Sequence, residues 1–413
     1  MKTKIFIATI ILILLFSGCI QPPIPKPEPL DDSKATDTGV KNLVQGNNEF
    51  ALELYSEINK EGENLFFSPW SISSASAMVF EGAKGETAQE MQSVLHFPEN
   101  DLERRSAYAR IYNKLNTGSD KYTLKTANAL WAQKDYSFLE EFINTNKKYY
   151  SAEVTNLDFI SETEESRKTI NSWVEEQTNN KIKDLIPAGQ LDPTARMVLT
   201  NAIYFKGTWE TQFDKSKTKK EDFKINETET IQVDMMSLKE GSDDFKYTET
   251  EEIQILEMPY EGENLSMLVI LPKNNLSEVE AMLSAEKLAE WKKQMHEREV
   301  YVFFPKFKFE TKYFLSDTLK EMGMQKAFSE SEADFSGMDG TKNLYIDFVI
   351  HQAFVEVNEE GTEAAAATAV GMVMSSAPQY TEFKADHPFI FLIQEKSTGS
   401  ILFMGKVVNP NSG

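Results

Sequence analysis

The chain contains many segments in which apolar residues recur every three or four positions. This spacing places the apolar side chains on one face of an α-helix. It predicts seven helices, over residues 47–61, 72–80, 88–95, 102–115, 138–150, 164–182 and 276–295.

Other segments alternate between apolar and polar residues or are apolar throughout, which is typical of β-strands. The run 195–205 is largely apolar, so we expect it to be buried on both faces. Helices come first and strands follow without regular βα alternation, which predicts an α+β fold. The predicted strands are 122–131, 154–159, 195–205, 231–238, 253–260, 265–271, 300–309, 345–357, 389–394 and 401–408.

The segment 357–376 fits neither pattern alone. Five of the six residues from Ala364 to Ala369 are alanine, which favours a helix that Thr362 would cap. The same run also alternates as an extended chain does, and Gly361 supplies a permissive pivot before it. We therefore expect either a surface helix or an exposed loop that can enter a sheet as a strand. The residues on one side of that strand are Thr362, Ala364, Ala366, Thr368, Val370 and Met372.

The amino terminus has the features of an export signal. Lys2 and Lys4 precede the apolar run 5–16, which is too short to span a membrane. The sequence Phe16-Ser17-Gly18-Cys19 that follows resembles a lipoprotein signal-peptidase site. We therefore predict a signal peptide over 1–18 and a lipid on Cys19, with loss of this cysteine on cleavage as the alternative.

The signal is followed by a proline-rich segment, 20–38, that lacks core-forming residues. At ~3 Å per residue it predicts a semi-rigid tether that holds the folded part up to ~50 Å from a membrane. Because Cys19 is the only cysteine, the chain cannot form an internal disulfide.

Composition, charge and the lack of catalytic motifs argue against several classes of function. The 413 residues carry a net charge of −22, with the acidic residues spread along the chain, which argues against nucleic-acid binding. The sequence has no Gly-x-Ser-x-Gly elbow, no phosphate-binding loop and no His-Glu-x-x-His motif. The four histidines lack metal-ligand spacing. We therefore expect no catalytic residues, no metal and no cofactor.

Five blocks of this sequence resemble the serpin family, in the family's order and over residues 39–413. They are Asn64–Ile72, Thr200–Trp209, Glu359–Thr368, Phe383–Ile393 and Leu402–Val407. The resemblance implies one α+β domain with three β-sheets and about nine helices. It also implies an exposed reactive-centre loop over about 359–382.

The resemblance assigns roles to three sets of residues, which we name the hinge, the shutter and the breach. The hinge is Glu359, Glu360, Gly361, Thr362, Glu363, Ala364, Ala365, Ala366, Ala367 and Thr368. The shutter, a polar cluster where the central sheet opens, is Ser68, Ser71, Asn201 and His351. The breach, at the top of that sheet, is Trp209, Lys306 and Glu359. From the residues alone, His351 reads as an ordinary core histidine, and Lys306 and Glu359 as solvated charges.

The resemblance further implies a suicide-type inhibitor whose partner is a serine protease, with cysteine proteases as a second class. Counting along the loop from Gly361 places the reactive bond at Ser375–Ser376, with Met374–Ser375 as the alternative. The cleaved loop would insert as a strand between 195–205 and 346–357 and trap the acyl-enzyme. We expect a monomer, with loop–sheet polymers as a further state, that is secreted or held at the outer face of a membrane by its lipid.

Two other functions stay open at this stage. A non-inhibitory serpin that acts as a binding or chaperone module would be expected to carry bulky, charged or proline residues in its hinge. A surface-anchored hydrolase would need a nucleophile–base pair, and the sequence offers none.

Overall fold

Ten α-helices form in the computed structural model, which describes residues 28–412 except 118–120, 239–243, 263 and 363–380. Several begin at side chains that bind the free amides of the first turn; Ser68, for example, caps α2 ahead of Pro69 at its first position. The helices are α1 Asp37–Ile58, α2 Pro69–Phe80, α3 Gly85–Val94, α4 Asp101–Thr117, α5 Glu140–Tyr150, α6 Thr163–Gln177, α7 Leu276–Met282, α8 Ala285–Gln294, α9 Ser316–Glu321 and α10 Ser336–Asp339.

Sixteen strands form in the same described residues. They are β1 Leu65–Phe67, β2 Tyr122–Gln133, β3 Glu153–Leu157, β4 Met197–Thr208, β5 Lys219–Lys224, β6 Thr230–Leu238, β7 Asp244–Glu249, β8 Ile253–Pro259, β9 Leu265–Pro272, β10 His296–Pro305, β11 Phe307–Phe314, β12 Phe348–Asn358, β13 Gly361–Thr362, β14 Thr381–Lys384, β15 Phe389–Glu395 and β16 Ile401–Val407.

The strands make three sheets. One has the order β11-β12-β13-β4-β2-β3. The others share β10, whose residues His296–Glu299 pair with β7 and whose residues Val300–Pro305 pair with β6 and β14. The path through both is β1-β16-β15-β9-β8-β7-β10-β6-β5. The α+β class with three sheets is confirmed, with ten helices in the described residues against the nine or so expected.

Two predicted elements were wrong because each proved to be two. The segment 276–295 breaks at Leu283, and the Ser284 hydroxyl caps the second helix by accepting from the Lys287 amide at 3.1 Å. The segment 300–309 breaks at Lys306, between β10 and β11. Apolar periodicity continues across both breaks, so it could not reveal them.

Within the six-stranded sheet, β4 is buried on both faces from Met197 to Phe205, as the apolar run 195–205 predicted. One face packs on the main core, to which Leu199, Ile203 and Phe205 contribute. The other face lies under α6 and the segment 178–196, where Val198 and Ala202 join a separate, smaller core. That smaller core also contains Trp131, Phe159, Ile170, Val174, Ile182, Leu185, Ile186, Phe348 and Ile350.

The folded part begins earlier than residue 39. Leu30 is buried, its amide donates to Asn113 Oδ1 at 2.8 Å, and its carbonyl accepts from Asn113 Nδ2 at 2.9 Å. Asp31 forms an ion pair with Lys148 at 2.9 Å. The end of the predicted tether is therefore docked on α4 and α5, because its backbone and one leucine find partners there.

Candidate functional site

The parallel strands β4 and β12 share a boundary that we call the seam. In its closed part, Val198–Tyr204 pairs directly with Phe348–Phe354. At its open end, β13 lies between the two strands and runs antiparallel to both. Gly361 and Thr362 therefore form a two-residue strand in the middle of the sheet.

Gly361 sits where no other residue fits. Its φ of 151° is one that L side chains rarely adopt, and a Cβ there would lie 2.0 Å from the carbonyl oxygen of Gly207. The sequence singled out this glycine as a pivot. The physical reason is the close approach of two backbones.

Thr362 is seated in the sheet instead of in an exposed loop. It is 1 % exposed and is paired with Val357 on one side and Gly207 on the other. Its hydroxyl lies 2.8 Å from the hydroxyl of Tyr260, and the Tyr260 ring stacks on Trp209 with 4.5 Å between ring centroids. The expectation that the exposed loop begins at residue 359 is thus wrong for 359–362. The backbone of this segment pairs with the facing edges of β4 and β12, which do not pair with each other at this end of the sheet.

Glu359 is nearly buried and holds the breach together. Lys306 Nζ donates to its carboxylate at 2.9 and 3.2 Å, and the Thr218 hydroxyl donates at 2.8 Å. Burial alone would raise the pKa of Glu359, but these hydrogen bonds outweigh it and hold the pKa below its ordinary value. The Glu359 carbonyl accepts from the Phe213 amide at 2.9 Å.

Glu360 fixes the other side of this end. Its carboxylate is paired with Lys215, and its carbonyl accepts from the Trp209 amide at 2.8 Å. The indole Nε1 of Trp209 donates to the Asn358 carbonyl at 3.1 Å. The predicted breach residues Trp209, Lys306 and Glu359 therefore lie together, and Lys215, Thr218 and Tyr260 join them. These three were missed because they come from distant parts of the chain.

His351 lies at the middle of the closed part and is fully buried. Its Nε2 accepts from the Ser68 amide at 3.1 Å, so Nδ1 carries the proton and donates to Asn201 Oδ1. Burial lowers the pKa of His351 to about 3, which keeps the ring neutral. The Ser68 hydroxyl donates to the Leu402 carbonyl at 2.6 Å.

The hydrogen-bonded network of His351 extends through Asn201 to α2 and β2. Asn201 Nδ2 donates to Ser71 Oγ at 2.5 Å and to Asn128 Oδ1 at 2.5 Å. Asn128, on β2, was not predicted, because the alternation of its strand does not distinguish it from its neighbours. The four residues predicted as the shutter thus form one hydrogen-bonded cluster between α2, β4 and β12. Their role in sheet opening stays a prediction.

The side chain of Lys181 lies beside the end of the closed part of the seam. Lys181 Nζ is 6.0 Å from the ring centroid of Tyr204 and 5.8 Å from that of Phe354. These two residues are the last pair of the closed part. The segment after α6 is also attached to β11, since Lys312 Nζ donates to the Asp184 carbonyl at 2.8 Å. No pattern in the sequence predicted these contacts.

Other predicted residues lie outside those that the structure describes. They are the rest of the hinge from Glu363 to Thr368, the reactive-bond residues Met374, Ser375 and Ser376, and Cys19. In the described part of the chain, no group of three or more His, Cys, Asp or Glu residues could hold a metal. No helix within that part is long and apolar enough to cross a membrane.

The six-stranded sheet thus has a seam that β13 interrupts at one end. Comparison with known proteins identifies the family. The family model for serpins (serine protease inhibitors) matches residues 45–410. The chain belongs to the serpin family, which confirms the resemblance seen in the sequence.

Relatives are found in archaea and animals. A serpin-like protein of Methanosarcina mazei is 42% identical over 99% of this chain and 98% of its own length. Bovine leukocyte elastase inhibitor is 43% identical over 90% of this chain and 100% of its own length. Among solved structures, human thyroxine-binding globulin aligns with a TM-score of 0.82 and 35% identity over 91% of this chain and 100% of that chain.

Proposed function

We propose that the protein inhibits serine endopeptidases by insertion of its cleaved loop. The protease attacks the scissile carbonyl as it would in a substrate and forms an acyl-enzyme. The released loop then extends β13 along the seam. The observation that carries this proposal is the position of Gly361 and Thr362, which are hydrogen-bonded to both strands between which the loop must enter.

The register of β13 tells where an extended strand would lie. Each step forward along the loop is a step back on β4 and on β12. Thr368 comes six residues after Thr362, so it would lie opposite Asn201 and His351, which come six residues before Gly207 and Val357. The predicted hinge therefore ends at the shutter, and full insertion must replace the pairing across the closed part.

Side-chain size favours this path. In the extended strand, the residues on the same face as Thr362 are Ala364, Ala366 and Thr368, followed by Val370 and Met372. They would face the main core beside Phe205, Ile203 and Val355. Three small residues come first, so the seam need open only slightly as insertion begins.

The consequence for the protease is displacement. A fourteen-residue strand at ~3.3 Å per residue spans ~45 Å, which carries an attached protease to the far end of the sheet. Hydrolysis of the acyl-enzyme needs an intact oxyanion hole and histidine base. Distortion of either leaves the ester trapped.

Specificity follows from the residues near the bond. Met374, Ser375 and Ser376 are small or apolar, so they suit the pockets of elastase-, subtilisin- or chymotrypsin-like proteases and offer nothing to a pocket that requires Arg or Lys. The similarity to leukocyte elastase inhibitor points to the same class.

A binding module is the second candidate, because the fold also matches thyroxine-binding globulin in complex with thyroxine. The composition of the hinge argues against it. Thr362 and Ala364–Ala367 are neither bulky nor charged and none of them is proline, and a protein that did not insert its loop would have no need for this restriction.

The decisive experiment mixes the protein with a panel of serine proteases and looks for covalent complexes that survive SDS. We expect such complexes with elastase-like enzymes, and Ser375→Arg should transfer inhibition to trypsin. If Met374→Arg does so instead, the bond lies one residue earlier. Cleavage with full turnover and no complex by every protease would contradict the proposal.

We also propose that the protein is exported and anchored through a lipid on Cys19. Because Leu30 and Asp31 are docked on α4 and α5, the proposed tether is limited to 20–29 and would span at most roughly 30 Å at ~3 Å per residue. The variant Cys19→Ala should lose lipid labelling and be left unprocessed or released. Equal membrane retention of the variant would show that the lipid is not the anchor.

A further inference from the structure

The chain contains three Asn-x-Ser/Thr triplets, beginning at Asn226, Asn264 and Asn275. Such a triplet is the acceptor for N-linked glycosylation in an exported protein when it lies in an accessible surface segment. The structure places the three triplets in different surroundings, so it can distinguish among them.

The triplet Asn226–Thr228 forms the tip of the β5–β6 hairpin, and all three residues are exposed. Asn226 Oδ1 accepts from the Thr228 amide at 2.9 Å and from the Thr228 hydroxyl at 3.0 Å. Within the described part of the chain, the amide nitrogen Nδ2 donates no hydrogen bond. A hydrogen bond thus already links the Thr228 hydroxyl to the side-chain carbonyl of Asn226. The exposed Asn226 leaves its amide nitrogen, which would carry the sugar, accessible to solvent.

The other two triplets have the same sequence, Asn-Leu-Ser, and differ only in structure. Asn275 and Ser277 are both exposed at the start of α7. Ser266, the third residue of the triplet at Asn264, is fully buried on β9. Its hydroxyl donates to Glu257 at 2.7 Å and accepts from Gln394 at 3.2 Å.

This difference decides accessibility. An enzyme that selects Asn-x-Ser/Thr must contact the asparagine and the hydroxyl residue together. At Asn275 both residues are exposed, and Nδ2 of the asparagine donates one long hydrogen bond, to the exposed Glu278 at 3.4 Å. At Asn264 the hydroxyl is inside the sheet with both of its partners, and freeing it would break the β9 pairing with β8 and β15.

We propose that Asn226 and Asn275 are N-glycosylation sites and that Asn264 is not. In the reaction, Nδ2 attacks C1 of a lipid-linked oligosaccharide, the N–C1 bond forms and the bond from C1 to the phosphate oxygen breaks. The lipid phosphate leaves, and the amide proton passes to a base of the transferase. The proposal rests on the predicted export and is independent of protease inhibition.

Both sites border one groove of about 900 Å³, which Asp386 and His387 also line. Neither belongs to the seam or to the residues that hold it. Glycans there should leave loop insertion unchanged while they cover the tip of β5, the edge strand of its sheet. Edge strands need such cover because their free backbone groups can pair with another chain.

The test offers the folded full-length chain to a purified single-subunit oligosaccharyltransferase with a lipid-linked oligosaccharide, and locates the product by peptide mass spectrometry. We expect modification at Asn226 and Asn275 and at least tenfold less at Asn264. Two synthetic peptides that span the Asn-Leu-Ser triplets serve as controls and should be modified equally. Thr228→Ser should keep modification at Asn226, and Thr228→Val should abolish it.

Two results would overturn the proposal. One is a folded chain unmodified at Asn226 and Asn275 while the peptides are modified. The other is Asn264 modified as fast as Asn275 in the folded chain, because burial of Ser266 would then offer no protection. Covalent trapping of protease by unglycosylated protein is measured separately and is expected whatever the outcome here.

Discussion

The two parts of the seam involve the same pair of strands and are held by different chemistry. In the closed part, β4 and β12 pair with each other in front of a buried, neutral network centred on His351. At the open end they pair with a third strand, and ion pairs of Glu359 and Glu360 with Lys306 and Lys215 hold it there. One part is buried and uncharged, and the other joins two buried carboxylates to two partly exposed lysines.

The difference separates two steps that the proposed insertion requires. At the open end β13 already lies between β4 and β12, so the proposed insertion needs no new opening there. At the closed part, a hydrogen-bonded polar cluster must rearrange before the strand can pass, because buried polar groups without partners are costly. We infer that the open end fixes where insertion starts and that the closed part limits how readily it proceeds.

The largest expected effect is that of completing the strand. Cleavage of the loop should raise Tm by tens of degrees, because each added ladder hydrogen bond contributes ~0.5–1.5 kcal/mol net and further apolar surface is buried. Differential scanning calorimetry before and after cleavage measures the change. An unchanged transition after clean cleavage would mean that the closed part never opens.

Thr362→Arg should have the next largest effect. Thr362 is buried beside Tyr260, so an arginine there either places a cation without a partner in the core, at several kcal/mol, or leaves the sheet. Since each 1.4 kcal/mol is about tenfold in rate, insertion would lose its race with deacylation. The variant should be cleaved at the same bond and turned over as a substrate.

Thr362→Ser is the matched control, because it keeps the hydroxyl and the small volume and should still trap the protease. The ratio of inhibitor consumed to protease inhibited measures both variants. Stoichiometric trapping by Thr362→Arg would show that inhibition does not start from the seated hinge.

The closed part should respond to pH through His351. The pKa of His351 is about 3 in the folded protein against an ordinary value of 6.5, so the unfolded chain binds a proton that the folded chain does not. Stability should therefore fall as pH drops below 6.5, by roughly 1.4 kcal/mol per pH unit from this group. Urea unfolding between pH 7 and pH 4.5 measures the slope, which His351→Gln should reduce.

His387 provides a control of opposite sign. Burial lowers its pKa, but hydrogen bonds to Asp386 and to the Pro272 carbonyl outweigh burial and raise the pKa above its ordinary value. Its contribution is thus present at low pH and is lost as pH rises through the folded value. Because this contribution is constant below pH 6.5, His387→Gln should lower stability there and leave the slope below pH 6.5 unchanged. Equal slopes in both variants would rule out titration of these two histidines as the cause.

Sequence reasoning found the elements of this site better than their contacts. Local patterns predicted β4 and β12, and the family motifs named His351, Asn201 and Lys306. They could not place Asn128, Tyr260 or Lys181, because pairing between distant segments is not written in local periodicity. The strands β5 and β7 were missed for a related reason, since their charged residues read as loop although they lie in a sheet.

The seating of residues 359–362 was also beyond local reasoning. From the sequence Glu359 reads as a solvated charge, and only the lysine partners of Glu359 and Glu360 make burial of the two acids possible. The smallest predicted effect tests how much the hinge depends on one of these remote lysines.

A double-mutant cycle on Lys306→Met and Glu359→Gln should give a coupling free energy of about 0.5–1 kcal/mol, because Lys306 is partly exposed and screened by solvent. The coupling free energy should shrink as salt rises from 0.05 to 0.5 M, because the Debye length falls and the partly exposed ion pair is screened more strongly. The matched cycle on His351→Gln and Asn201→Ala should give a coupling that salt leaves unchanged, because both partners are neutral and buried. Urea midpoints at the two salt concentrations measure both. Equal salt dependence in the two cycles would mean that the open end and the closed part are held by the same forces, and the division of the seam would be lost.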